Sequence, residues 1–192
     1  MAMLNDLYFK FDMEAEALQL YKARAVLRGG MGGGAGRASR RRCPAFCLSF
    51  STHFARPQVE TIGDCYMVAA GLLVPLANHA ATMLEFAARM HALAAEVPDP
   101  SGRPLRLRVG VHSGRIMSGV VGAVRARYCL FGDTVNTASR MESTSLPGET
   151  QISDATHGLV AGCPQFGFRC RGQIDVKGKG AMTTYWVSRA IG

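Results

Sequence analysis

The chain has 192 residues, 48% of them hydrophobic, and a formal charge of +8. That length suits one domain with a substantial core; the longest apolar run, residues 66–77, contains Pro75 and falls short of the roughly 20 residues a membrane-spanning helix needs. Seven arginines (24, 28, 37, 40, 41, 42 and 56) and no acidic residue lie in 23–58, leaving 15 basic against 14 acidic side chains elsewhere, so the charge belongs to one segment.

The N-terminal stretch MAMLNDLYFKFD has no basic-then-apolar leader, and the six cysteines lack the spacing of a disulfide framework. Both fit a chain on the cytosolic side with reduced thiols. Leu4, Leu7, Tyr8 and Phe11 recur at helical spacing, so the spacing predicts an amphipathic helix there, followed by a segment leading toward a strand. Residues 23–58 interrupt this. The run RASRRRC could attach to phosphate backbones, but it has neither aromatic interleaving nor a helical period, and a solvated, disordered run is the better reading. Cys43 and Cys47 form a C-x3-C pair without a second ligand pair, a weak zinc signal.

VETIGDCYMVAAGL (59–72) reads as two apolar strands folded back across Gly63-Asp64, with carboxylates at Glu60 and Asp64. Residues 79–97 place Met83, Phe86, Ala87, Met90, Leu93, Ala94 and Val97 on one face, a helix lying on a sheet. PDPSG is a turn. LRLRVGV (105–111) alternates as a half-buried strand does, and RIMSGVV (115–121) is expected to answer it across His112-Ser113-Gly114. YCLF is a short strand, and Asp133 is expected to cap a helix from Thr134 to about Ser143. A strand at 150–152, a short helix after Ser153 and a C-terminal group of strands complete an α/β fold with helices packed on one sheet. No internal repeat is present.

The block RYCLFGDTVNTASRMES (127–143), with LNDLYFKFD, VETIGDCYM, RVGVHSG, GVVG and VKGKG in that order, resembles the class III nucleotide cyclase catalytic domain, most closely its guanylyl cyclase branch. The resemblance covers the chain outside 23–58. It implies a ferredoxin-like core, a mostly antiparallel sheet with helices packed on it, that forms GTP-cyclising sites between two cyclase domains, as a homodimer or heterodimer. Joining Lys22 to Val59 restores the family's register, so 23–58 is expected to be a disordered Arg/Gly-rich insert: translated intron or a gene-model error, against the rival of a genuine flexible insertion.

By residue, the resemblance makes Glu60 the guanine-selecting acid. Guanine's N1 and N2 are donors, for which a carboxylate is the fitting acceptor. Cys129 matches the guanylyl cyclase cysteine near O6, a weak thiol donor. Asn136 and Arg140 are four apart on one helix and share a face; Asn136 orients the ribose and Arg140 stabilises α-phosphate charge in the transition state. Lys177 pairs the terminal phosphates, and Asp64 is one of two aspartates expected to bridge two Mg²⁺ or Mn²⁺ ions. The other aspartate belongs to an F-x-D-I-x-x-F strand that the sequence does not contain, so the first strand of the family's sheet is expected to be missing. Two readings follow: a GTP-cyclising enzyme impaired when alone, or a catalytically incomplete partner of another cyclase domain. No nucleic-acid or membrane contact is expected of the fragment, although the full-length protein could be membrane-anchored.

Overall fold

A computed structural model describes residues 2–23, 43–52, 65–72, 75–98, 102–121 and 127–189. In chain order these form α1 (Ala2–Ala17), β1 (Tyr21–Ala23), β2 (Cys43–Thr52), β3 (Cys65–Ala70), α2 (His79–Ala95), β4 (Leu107–Val121), β5 (Arg127–Phe131), α3 (Asp133–Ser143), β6 (Thr150–Ser153), α4 (Asp154–Val160), β7 (Phe166–Val176) and β8 (Gly180–Arg189). The sheet runs β1-β3-β2-β4-β6-β8-β7, with β5 paired to the distal half of β4. Every pairing is antiparallel except β4 with β6. The expected architecture, a mostly antiparallel sheet carrying helices, is the one observed.

The two-residue period of the strands sorts the core into two layers. Tyr66, Val68 and Ala70 of β3 and Leu107, Val109 and Val111 of β4 face one way, onto Leu7 and Phe11 of α1 and Met83, Phe86 and Met90 of α2. Met67 and Ala69 of β3 and Ile116 of β4 face the other way, with Val135 and Ala138 of α3. The apolar face predicted for α2 is buried, with Ala80 and Leu84 added to it. Arg89 bridges Glu14 and Glu85, and Tyr66 Oη donates to Asp12 Oδ1 at 2.5 Å, fastening α1 to α2 and to the sheet.

Several expectations change. Residues 43–52, part of the stretch 23–58 expected to be a disordered insert, form β2, between β3 and β4 and antiparallel to both. The remainder of that stretch, apart from Ala23 at the end of β1, lies outside the described residues, as does the first arm of the hairpin expected over 59–72. The described arm, β3, pairs with β1 and β2. The expected turn at His112-Ser113-Gly114 does not form: β4 runs unbroken for 15 residues because β2 pairs along it from Leu107 to Ile116. Likewise FGFRCR and QIDV are one strand, β7, bent by an irregularity between Cys170 and Gly172.

Candidate functional site

Of the residues named from sequence, Asn136 and Arg140 lie on α3 and Cys129 on the strand that leads into it. β5 ends at Phe131 and α3 begins at Asp133, so one strand–helix unit carries Cys129, Asn136 and Arg140. Thr134, Val135, Thr137, Ala138, Met141 and Glu142 are buried, which turns Asn136 and Arg140 outward on one face. Neither of those two side chains has a partner among the described residues. Cys129 sits opposite Gly119 in the β4–β5 pairing. Lys177 is exposed in the turn between β7 and β8. Glu60 and Asp64 lie outside the described residues; Asp64 immediately precedes Cys65, the first residue of β3.

The helix lies directly on strand backbone. A Cβ built on Gly110 would sit 2.0 Å from the Glu142 amide nitrogen, and one on Gly114 would sit 2.4 Å from Thr134 Oγ1. At Gly110 the clash is with helix backbone, so no side chain larger than hydrogen fits unless α3 moves, whereas at Gly114 it is with the Thr134 side chain. Thr134 Oγ1 donates to the Arg115 carbonyl at 2.7 Å. Near the other end, Arg108 Nε and Nη2 both reach Glu142 Oε1, at 3.0 and 2.9 Å. Burial raises the Glu142 pKa and Arg108 opposes the rise. This pair fastens the last turn of α3 to β4, and the sequence reading missed it; the signal was an arginine two residues before Gly110, on the strand face that the helix covers.

Asp133 is not the helix cap. Gly132, at φ 124°, holds that position with no side-chain cap, and Asp133 stands in the first turn. There its carboxylate suits the positive end of the helix dipole, and Lys179 forms an ion pair with it. That contact was also missed. It fastens the β7–β8 turn, and with it Lys177, to the start of α3, so the expected phosphate lysine and the expected transition-state arginine belong to one connected assembly.

Beneath the helix start, His112 Nδ1 lies 2.7 Å from Ser153 Oγ, and Ser113 Oγ donates to Thr156 Oγ1 at 2.7 Å. Ser153 is the N-cap of α4, accepting from the Thr156 amide. Burial pushes the His112 imidazole down to about 4, with Asp133 opposing and Lys179 adding. It is therefore neutral at pH 7 and serves as a structural link rather than a proton carrier.

Among the described residues no group of three His, Cys, Asp or Glu side chains could hold a metal ion, and no helix is long and apolar enough to cross a membrane. A metal site needs paired hard oxygen ligands. β2 contributes no carboxylate, since CPAFCLSFST has no acidic residue, and Asp64 is the one carboxylate expected from the resemblance.

The sequence profile of the adenylate and guanylate cyclase catalytic domain matches residues 49–189. Rat guanylate cyclase soluble subunit beta-2 is 50% identical over 131 residues, 68% of this chain and 19% of that protein. The Caenorhabditis elegans receptor-type guanylate cyclase gcy-28 is 36% identical over 189 residues, 96% of this chain and 12% of that protein. The chain thus spans about a fifth or less of these relatives. The crystal structure of the guanylate cyclase domain of RhGC from Catenaria anguillulae, in complex with GTP, superposes with a TM-score of 0.73 at 32% identity, covering all of this chain and 84% of that one. With the fold, the motif order and these likenesses in agreement, the chain belongs to the adenylate and guanylate cyclase catalytic domain family, in its guanylyl cyclase branch.

Proposed function

We propose that this chain converts GTP to cyclic GMP and pyrophosphate at an interface with a second cyclase domain. The observation that carries the reading is α3, held against the sheet backbone while its outward face presents Asn136 and Arg140 without partners. Such phosphoryl transfer is largely positioning and charge stabilisation. The ribose 3′ oxygen attacks the α-phosphate, Asn136 orients the ribose, Arg140 stabilises charge on the α-phosphate, and Lys177 holds the terminal phosphates. Glu60 and Cys129 choose guanine by presenting an acceptor to N1 and N2 and a donor to O6. Two Mg²⁺ or Mn²⁺ ions, when bound, would supply activation of the 3′ hydroxyl and neutralise phosphate charge. At the site to which this chain brings Asn136, Arg140 and Lys177, the carboxylates that would hold these ions belong to the second domain; Asp64 would serve the other site of the pair.

A second reading is a partner subunit that completes or regulates another domain's site and has none of its own. The absence of an acidic residue throughout 23–58, and so from β2, favours it over self-sufficient catalysis.

The test measures cyclic GMP formed from GTP with Mn²⁺, and cyclic AMP from ATP in parallel. One sample is the chain alone; the other is the chain mixed with a cyclase domain that carries both metal aspartates but lacks its own counterpart of Arg140. Activity confined to the mixture, and to GTP, is the expected outcome. A folded chain that binds the second domain yet yields no product supports the regulatory reading, and one that does not bind overturns both.

A further inference from the structure

We propose that Arg171 is a positioning residue for Arg140, and that the irregularity in β7 exists to aim it; the inference rests on the cyclase reading above. Pairing of β7 with β8 runs Cys170 opposite Tyr185 and then Gly172 opposite Thr184, so Arg171 is the extra, unpaired residue of a β-bulge. A bulge bends its strand and redirects a side chain that regular alternation would send elsewhere. Here the guanidinium carbon lies 4.8 Å from the centre of the Trp186 ring. Stacking fixes the plane of the fork.

Arg171 Nη1 donates to the carbonyl of Thr144 at 2.6 Å and to Gln151 Oε1 at 2.5 Å. Gln151 is fully buried, and its Nε2 donates to Thr144 Oγ1 at 3.1 Å. Thr144 is the C-cap of α3. Its Oγ1 donates to the Arg140 carbonyl at 2.7 Å, and its amide donates to the same oxygen at 3.0 Å. The last carbonyls of a helix have no partners within it. At this helix end a cation from another element closes one of them, where the helix dipole is negative, and the chain of contacts ends on the backbone of Arg140 itself.

The opposite end of α3 is held by the same hairpin through Lys179 and Asp133. β7 and β8 therefore grip the helix at both ends, while Gly110 and Gly114 let it rest on β4. The rotation and axial position of α3 are set from above and below. Arg140 reaches its phosphate on a long side chain, so any slip at the last turn of the helix displaces the guanidinium.

The test uses the full chain mixed with the metal-bearing domain described above. Arg171→Met keeps the stem and removes the donors. It is expected to lower kcat about 10- to 100-fold, the scale of a misplacement near 1 Å, with KM for GTP changed less than about twofold. Arg171→Lys is expected to recover part of the loss. In an Arg140→Gln background, Arg171→Met is expected to add nothing. An equal loss in that background, or an unchanged kcat, overturns the proposal. If the parent mixture makes no cyclic GMP, the cyclase reading fails by itself, and amide hydrogen exchange at Thr144 and Ser145 decides the positioning role: about tenfold faster exchange in Arg171→Met supports it, and unchanged exchange overturns it. Should Arg171→Met fail to fold, Arg171→Lys carries the same comparisons.

Discussion

His112 and His91 couple the stability of this chain to pH. Burial pushes both imidazoles down to about 4 from 6.5, with Asp133 and Lys179 acting on His112 and Arg106 on His91. His91 Nε2 lies 3.0 Å from Thr150 Oγ1, joining α2 to β6, as His112 joins β4 to the cap of α4. Between about pH 4 and 6.5 the unfolded chain binds protons that the folded chain refuses. The stability that both neutral rings contribute is therefore complete above 6.5 and lost as pH falls through about 4. The pair is worth on the order of a few kcal/mol over that window. Glu142, whose carboxyl is raised by burial, works in the opposite direction. Urea unfolding at pH 7 and pH 5 should show the parent losing stability, and a His112→Asn, His91→Gln double variant losing distinctly less. An equal loss in both would assign the acid sensitivity to other groups. Neither histidine's role was legible in sequence. Nothing in HSG or RMHAL says whether a ring is buried or which nitrogen has a partner, since both facts depend on strands and helices distant in the chain.

At the scale of elements, α3 shows why some boundaries were legible and others were not. Its end near Ser143 was legible, as was α2 from its apolar face, while the sequence puts the start of α3 one residue late because Asp133 looks like the cap that Gly132 provides. β4 was misread because Gly114 looks like turn chemistry, whereas the strand needs it for a helix that arrives twenty residues later. The two glycines test this account. Gly110→Ala places a methyl group against backbone atoms of Met141 and Glu142, which cannot rotate away, and should cost about 3 kcal/mol. Gly114→Ala meets the Thr134 side chain, which can turn aside by giving up its bond to the Arg115 carbonyl, and should cost about 1 kcal/mol. Denaturant unfolding of the two variants checks the order. Equal, negligible costs would mean that α3 does not sit on β4 this closely.

For the whole molecule the deciding element is β2. Joining Lys22 to Val59 gives a continuous family register, and by that argument 23–58 stands outside the fold. The sheet argues otherwise: Cys43–Thr52 pairs with β4 over ten positions and with β3 over six, filling the centre between them. A pattern of motifs along a chain shows which segments match a family, but not which foreign segment occupies an empty place in the sheet. That place is defined by two strands far apart in sequence. Removing 23–58 would leave β3 and β4 facing each other across a missing strand, with a row of unpaired backbone groups on each. The expected result is loss of cooperative thermal unfolding and of native circular dichroism in the deletion variant. Replacing 24–42 with a flexible Gly/Ser linker of the same length, which leaves β2 and all of its pairings, should preserve both, because β1 and β2 run parallel on either side of β3 and need a crossover connection but not this sequence. If instead the 23–58 deletion unfolds cooperatively at or above the parent temperature, β2 is dispensable. Residues 59–62 would then be expected to pair with β3 in the family register, and the inserted stretch would have no place in the folded domain.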